Sequence, residues 1–336
     1  MPSAGMRVVW EWLLRIAVST YALSYRSGRS KRAPLSLLLV LGALLLLAAC
    51  TGPFTNAPAS LSGHLQIDGS TALQPLVSKA ATLFQQEHPQ VRINVSGGGS
   101  LTGLNDVTSH KVDIGNSDIY ADPATYPDPD LTDHLVCVIP FTMIVSSDVP
   151  IANLTKEQII DIFTTGKYTN WSQLQGPDLR IVPIVRPATS GTRATFRRYV
   201  LGGRDELSNL VTISSSQDVV KAVANTPGAI GYLAASVLDS QVHPISIDGY
   251  AATLANIASG RYSFWSYEHM YTLNVSSGSL TDVFLNFMLT PQVQEQATLL
   301  HYLPISDLKF SQLSAYLSRT MLSFFVEPEK RKRYFL

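Results

Sequence analysis

Arg186, Ser190, Gly191 and Thr192 stand within one short run, RPATSGTR, at residues 186–193. An apolar stretch at 181–185 precedes it and a helix-like segment at 194–200 follows. The pattern predicts a strand that delivers the chain to a small-residue turn, from which a helix starts. The first amides of a helix have no intrahelical partner and sit at the positive end of its dipole. Ser190, Gly191 and Thr192 would aim such N–H groups and two hydroxyls at one point. Gly191 would let a ligand approach the backbone closely. Arg186 adds a planar fork of donors that suits a tetrahedral oxyanion. Together these residues read as an anion cradle.

Two further segments repeat the signature. Residues 65–68 predict a strand running into the turn Gly69-Ser70-Thr71, followed by a helix pattern from Leu73 to about His88. Residues 91–95 predict a strand, SGGGS at 96–100 a glycine-rich turn, and 101–109 a helix. Each is a β–turn–α unit with hydroxyls at the helix start. N-capping alone explains each Ser or Thr taken singly. Three such turns in one chain favour a shared ligand.

Other chemistry finds little support. The seven histidines (His64, His88, His110, His134, His243, His269, His301) are scattered without metal-ligand spacing, so no metal site is expected. Ser190 lies outside any G-x-S-x-G elbow, and the glycines at 97–99 lack the lysine of a phosphate-binding P-loop. Cys137, in the apolar run 135–139, reads as a small core residue with no base beside it. Trp171, Tyr262, Phe264, Trp265 and Tyr267 read as core or hinge packing, the alternative being an aromatic wall for a sugar.

The elements that position the turns alternate. Strands near 65–68, 91–95 and 112–116 separated by helices imply a parallel sheet with helices on both faces. The apolar run 135–145, interrupted at Pro140, suits a strand crossing between two lobes, and 267–274 a strand returning to the first. Thr155 and Gln158 form a capping box opening a helix to about Phe163. Ser216 caps a helix to about Asn225, Pro227 and Gly228 stop it, and 229–233 follows as a strand. Helices at 281–289 and 292–299 close the fold. Ligands of open α/β sheets bind beyond the carboxyl ends of strands, and all the candidate turns follow strands.

The N-terminus reads as a leader. Arg26, Arg29, Lys31 and Arg32 precede a short apolar stretch at 35–49 that ends in Leu47-Ala48-Ala49-Cys50, a lipobox-like site. The alternatives are a buried helix or an uncleaved anchor. Residues 51–62 are rich in Pro, Ala, Ser and Thr and read as a tether. The whole chain balances 25 basic against 25 acidic residues. Setting aside the six bases and one acid of residues 1–50 leaves 19 basic and 24 acidic, a poor balance for binding nucleic acid. After Ile305, an apolar-rich segment at 308–326 and a basic run at 330–333 read as a packed helix with a solvated tail, or as a contact to anionic lipid.

The motifs resemble those of the phosphate-binding proteins of ABC-type phosphate importers, the PstS family. The resemblance runs from about Gly69 to Pro304. It is carried by 69–71, SGGGS at 96–100, VDIGNSD at 112–118, LTKEQIIDIF at 154–163 with TNW at 169–171, the run 186–193, NTPGAIGY at 225–232 and FLNFML at 284–289. It implies an α/β, two-lobed periplasmic-binding-protein-like (type II) fold, each lobe a mostly parallel sheet flanked by helices, with the ligand in the interlobe cleft. The implied layout is a signal peptide at 1–49, a tether at 50–62, lobe one at 63–142 plus 264–306, lobe two at 143–263, and a C-terminal helix and tail at 307–336. Carried over by position, the phosphate contacts are Ser70, Thr71, the amide of Ala72, Ser100, Asp118, Arg186, Ser190, Gly191 and Thr192. Residues 72–74 depart from the family's usual small or aromatic side chains, which affects the lining of the first turn but not its amides. The implied protein is a monomeric, extracytoplasmic lipoprotein, anchored through Cys50, that delivers inorganic phosphate to ABC permease subunits. It is expected to use no cofactor and to do no chemistry. Sulfate, molybdate or tungstate as ligand, and a secreted phosphatase on the same scaffold, remain the alternatives.

Overall fold

The computed structural model describes residues 61–304. The leader, Cys50, most of the tether and the C-terminal segment lie outside the described residues. The chain opens with β1 (Gly63–Gly69), α1 (Gln74–Glu87), β2 (Val91–Val95), α2 (Ser100–Thr108) and β3 (Ile114–Ser117). There follow β4 (Leu131–Val145), β5 (Asn153–Leu154), α3 (Lys156–Ile160), β6 (Val182–Val185), α4 (Gly191–Tyr199), β7 (Val211–Thr212) and α5 (Ser216–Ala224). The last part holds β8 (Ala229–Ala234), β9 (His243–Ile247), α6 (Leu254–Ala258), β10 (Trp265–Leu273), α7 (Leu280–Met288) and α8 (Pro291–Leu299).

The strands lie in the order β2-β1-β3-β10-β4-β8-β6-β7, with β9 paired to β4 and β5. β1 is parallel to β2 and β3, and β6 is parallel to β7 and β8. These parallel sets are joined by antiparallel partners. The first part of β4 runs against β10, up to Pro140 opposite Trp265, and its last residues, Phe141–Val145, run against β8. One strand thus serves two sheet regions, and β10 returns the chain to β3. Proline lacks an N–H, and Pro140 falls where β4 changes partner. The result is a mixed α/β sheet with flanking helices.

Local chemistry explains most boundaries. α1 begins at a Pro-containing first turn and buries Leu76, Val77, Ala80, Ala81 and Phe84 on one face. α3 opens on the Thr155–Gln158 capping box as the spacing predicts. It ends earlier than expected, because the chain widens into a single π turn at Asp161–Thr165 and stops at Gly166 with φ 67°. The cap of α5 is Ser215, whose hydroxyl accepts from the Asp218 amide, so Ser216 is the first helical residue and not the cap. β4 starts at Leu131, four residues before the apolar run, because Leu131–His134 pair with β10 while remaining partly exposed. β5, β7, β9 and α6 are short elements without a strong sequence period.

One hydrophobic core joins both sheet regions, from Leu65 and Phe84 through Phe141 to Phe196 and Tyr232. A second cluster, with Ile144, Ile184, Val219, Val223 and Leu233, seats α5 against β6 and β8. Trp171, Tyr262, Phe264 and Tyr267 are almost wholly buried. Trp171 Nε1 donates to the Gly228 carbonyl at 3.0 Å and the Tyr262 hydroxyl to that of Phe141 at 2.7 Å. These rings are core, not a sugar-facing wall. Cys137 is also fully buried, with its thiol pushed up first by burial and then by Glu268.

Candidate functional site

Four helix starts meet at one place: the turn before α1, the first residues of α2 and α4, and the first residue of α5. Each follows the carboxyl end of a strand. Thr71 Oγ1 lies 3.4 Å from Ser216 Oγ and accepts the Ser216 amide at 3.3 Å, joining the starts of α1 and α5. Thr189 carbonyl accepts the Leu101 amide at 3.1 Å, and Thr189 Oγ1 donates to the Gly98 carbonyl at 3.0 Å, joining α4 to α2. Gly191 makes the closest approach. A Cβ there would overlap the Ser100 hydroxyl and stand 2.8 Å from Asp118 Cβ, so no side chain fits. Gly99, before α2, has φ 96° and packs its Cα face on Thr189.

Arg186 is 1% exposed, among the largest fully buried side chains of the protein. Its guanidinium is held in plane by two carbonyls, Nε donating to Ile213 O at 3.0 Å and Nη2 to Ser214 O at 2.8 Å. Its remaining contacts are to hydroxyls: Nη1 to Ser216 Oγ at 2.9 Å and Nη2 to Thr71 Oγ1 at 3.0 Å. A hydroxyl that accepts from Arg keeps its own proton to give elsewhere. Burial lowers the Arg186 pKa, and the Asp118 charge opposes that shift. Beneath the turn, the Tyr232 hydroxyl accepts the Arg186 amide at 3.3 Å, and its ring stacks on Phe196 with centroids 4.1 Å apart.

Asp118 is the opposing charge, 2% exposed. Its carboxylate accepts from the hydroxyl of Ser70 and from Thr192 Oγ1, the latter at 2.9 Å. Its amide donates to Ser100 Oγ at 2.8 Å. Burial raises its pKa, while the Ser70 and Thr192 hydrogen bonds and then the Arg186 and His269 charges act against that rise. Ser70 Oγ also accepts the amides of Ala72 at 3.0 Å and Leu73 at 3.1 Å, so the Ala72 N–H is engaged within its own turn. Ser190 caps α4, accepting the Arg193 amide at 3.2 Å, while its own amide donates to the Pro187 carbonyl.

The structure brings Ser70, Thr71, Ser100, Asp118, Arg186, Gly191 and Thr192 together through these contacts, with Ser190 at the cap of α4 beside them, whereas the Ala72 amide, expected as a ligand donor, is taken up by Ser70. Arg193 points away. It grips Glu206 through two 3.1 Å bonds, and Glu206 has no exposed side-chain surface. Four participants do not stand out in the sequence as site residues. Ser216 shows the same signal as the others, a serine run (214–216) between a strand and a helix, and was read only as a cap. The carbonyls of Ile213 and Ser214 carry no side-chain signal at all. Glu268 looks in the sequence like any charged residue in a strand, yet it is fully buried beside Asp118. The arrangement offers one cation, one anion and six hydroxyls. Among the described residues no group of His, Cys, Asp or Glu is placed to hold a metal ion.

A family model described as the PBP superfamily domain matches residues 55–292. The chain is 39% identical over 295 residues to the phosphate-binding protein PstS of Bacillus subtilis, covering 84% of this chain and 97% of that one. It is 21% identical over 244 residues to the PstS of Borreliella burgdorferi, covering 69% and 86%. Among solved structures, a Clostridium perfringens protein described as a phosphate ABC transporter substrate-binding protein, crystallised with bound phosphate, superposes with a TM-score of 0.67. It is 26% identical and covers 72% of this chain and 100% of that one. An ABC-type phosphate transport receptor from Vibrio cholerae shares the fold, with a TM-score of 0.58 and 24% identity over 71% and 99% of the two chains.

Proposed function

The chain belongs to the PstS family of phosphate-binding proteins within the PBP superfamily, and from that premise we propose that it captures inorganic phosphate and passes it to an ABC importer without chemical change. The observation that carries this reading is the pair of buried, opposite charges, Arg186 and Asp118, ringed by hydroxyls at four helix starts. A tetrahedral anion there would take charge-assisted bonds from the Arg186 fork, each contributing roughly 1.5–3 kcal/mol. It would take neutral ones from Thr71, Ser100, Ser190 and Ser216, and amide bonds from the start of α4. Phosphate at neutral pH still carries a proton, which an ionised Asp118 can accept. Sulfate carries none and would set an oxygen against that carboxylate.

In this reading residues 63–142 with 264–306 form one lobe and 143–263 the other. β4 and β10 carry the connections, and the anion draws the lobes together. The lipobox at Cys50 would hold the protein as a monomer on the outer side of the cytoplasmic membrane, within reach of the permease. Among the described residues no helix is long and apolar enough to cross a membrane. Calorimetry of the protein with phosphate, sulfate and molybdate is the direct test. Micromolar or tighter binding of phosphate, with little heat from the other two, is expected. Tighter binding of sulfate or molybdate, or turnover of an aryl phosphate, would replace the reading.

A further inference from the structure

Asp118 does not stand alone. β3 and β10 pair antiparallel with His269 opposite Ser117 and Met270 opposite Asn116. Glu268 is the next residue of β10 and Asp118 the next after β3, so the two follow directly on the last pair of that register. Ser266 on the same strand donates its hydroxyl to the Asp118 carbonyl, which fixes β10 against this turn. Glu268 is completely buried, and neither of its carboxyl oxygens meets an N–H or O–H donor. Its other titratable neighbours are Cys137, opposite it on β4, and Tyr302, beyond α8. No cation faces it from those elements, whereas Arg186 and His269 both act on Asp118. A lone carboxylate in such a place is very costly, and a neutral acid with one O–H to give is not.

We propose that Glu268 is a neutral carboxylic acid whose O–H is given to Asp118, and that this bond holds Asp118 as the ionised, accept-only group that turns away oxyanions carrying no proton. The inference rests on Asp118 being a ligand-facing group in the reading above. It makes Glu268 a positioning and specificity-determining residue that never touches the anion. Burial first, and the Asp118 charge second, push the Glu268 pKa well above the ordinary carboxylate range, which agrees with the geometry. A hydrogen bond to the charged form of Asp118 favours that form, against the burial that would otherwise neutralise it. Without the donor, burial would favour the protonated form of Asp118, which could then donate to sulfate.

The first test reads Glu268 itself in the full-length wild-type protein, carrying glutamate labelled with carbon-13 at the side-chain carboxyl. One glutamate carbon should keep the resonance of a protonated acid through pH 8, and that resonance should be missing from Glu268→Gln. A spectrum in which every glutamate is ionised at pH 7 overturns the proposal, whatever the protein binds. The second test reads specificity by calorimetry with sulfate and phosphate between pH 8 and pH 6. Glu268→Met keeps the volume and loses the donor, so its sulfate affinity should rise about tenfold or more as the pH falls, one pKa unit being a factor of ten. Glu268→Gln keeps a donor and should reject sulfate like the wild type. Equal rejection by Glu268→Met, or equal failure of both variants, would contradict the assignment. Loss of phosphate binding by the wild type would count against the functional reading instead, leaving the resonance result to decide the state of Glu268.

Discussion

At the scale of single residues, the site is a contest between burial and pairing. Arg186 spends Nε and one bond of Nη2 on the carbonyls of Ile213 and Ser214, which set its plane, and meets only hydroxyls on its other side. Lysine has no plane to set and one nitrogen for all four partners. Arg186→Ala should weaken phosphate binding by about 10- to 100-fold, as expected for one or two charge-assisted bonds, and Arg186→Lys should recover little of that. An unchanged dissociation constant in either variant would remove Arg186 from the site. Arg193→Ala is the control. Its bonds go to Glu206, so it should lower the melting temperature and leave phosphate affinity within about threefold, since its loss leaves a buried carboxylate with Arg197 as its remaining partner. Asp118→Asn can donate as well as accept, and should admit sulfate while keeping phosphate; continued exclusion of sulfate would make Asp118 structural.

At the scale of elements, the close packing of helix starts depends on Gly191. An added methyl would collide with Ser100 and crowd Asp118, and overpacking of this kind costs roughly 1–3 kcal/mol. The strain falls on the approach of α4 to α2, so Gly191→Ala should lower phosphate affinity about tenfold or more while the ligand-free melting temperature changes little. A melting temperature lowered as much as the affinity would mean that the contact belongs to the fold rather than to closure. These elements were legible in the sequence because each combines a strand period, a small-residue turn and a helix period. The strands of β1, β2 and β6, the helix starts after them and the Thr155 capping box all announce themselves in this way. What was hidden depends on tertiary context. Glu268 gains its meaning from the cross-strand register of β10, and β9 and β5 exist because β4 offers an edge to pair with.

At the scale of the whole molecule, the shared strand β4 and the returning β10 join the two sheet regions, and the proposed anion site lies where their helix starts face one another. Small-angle scattering should show a smaller radius with saturating phosphate than without, and an unchanged radius would indicate a rigid pocket. The fold also carries a pH signature at the end of β1. Burial first, then the hydrogen bond and charge of Asp106, raise Asp68 to about 7. The folded protein therefore holds a proton there that the unfolded chain releases near pH 4. This group's contribution to stability is present below about pH 4 and is lost as the pH rises through about 7. Asp68→Asn should be more stable than the wild type at pH 8 in urea denaturation and lose that advantage at pH 4; parallel pH profiles would contradict the assignment. We propose that four helix starts, one buried arginine and one buried aspartate make a single phosphate site. A crystal structure grown with phosphate tests it most directly. One anion should lie within hydrogen-bond distance of the Arg186 guanidinium, the Asp118 carboxylate and the hydroxyls of Thr71, Ser100 and Ser190. An anion bound elsewhere, or held there without Arg186 and Asp118, would contradict it.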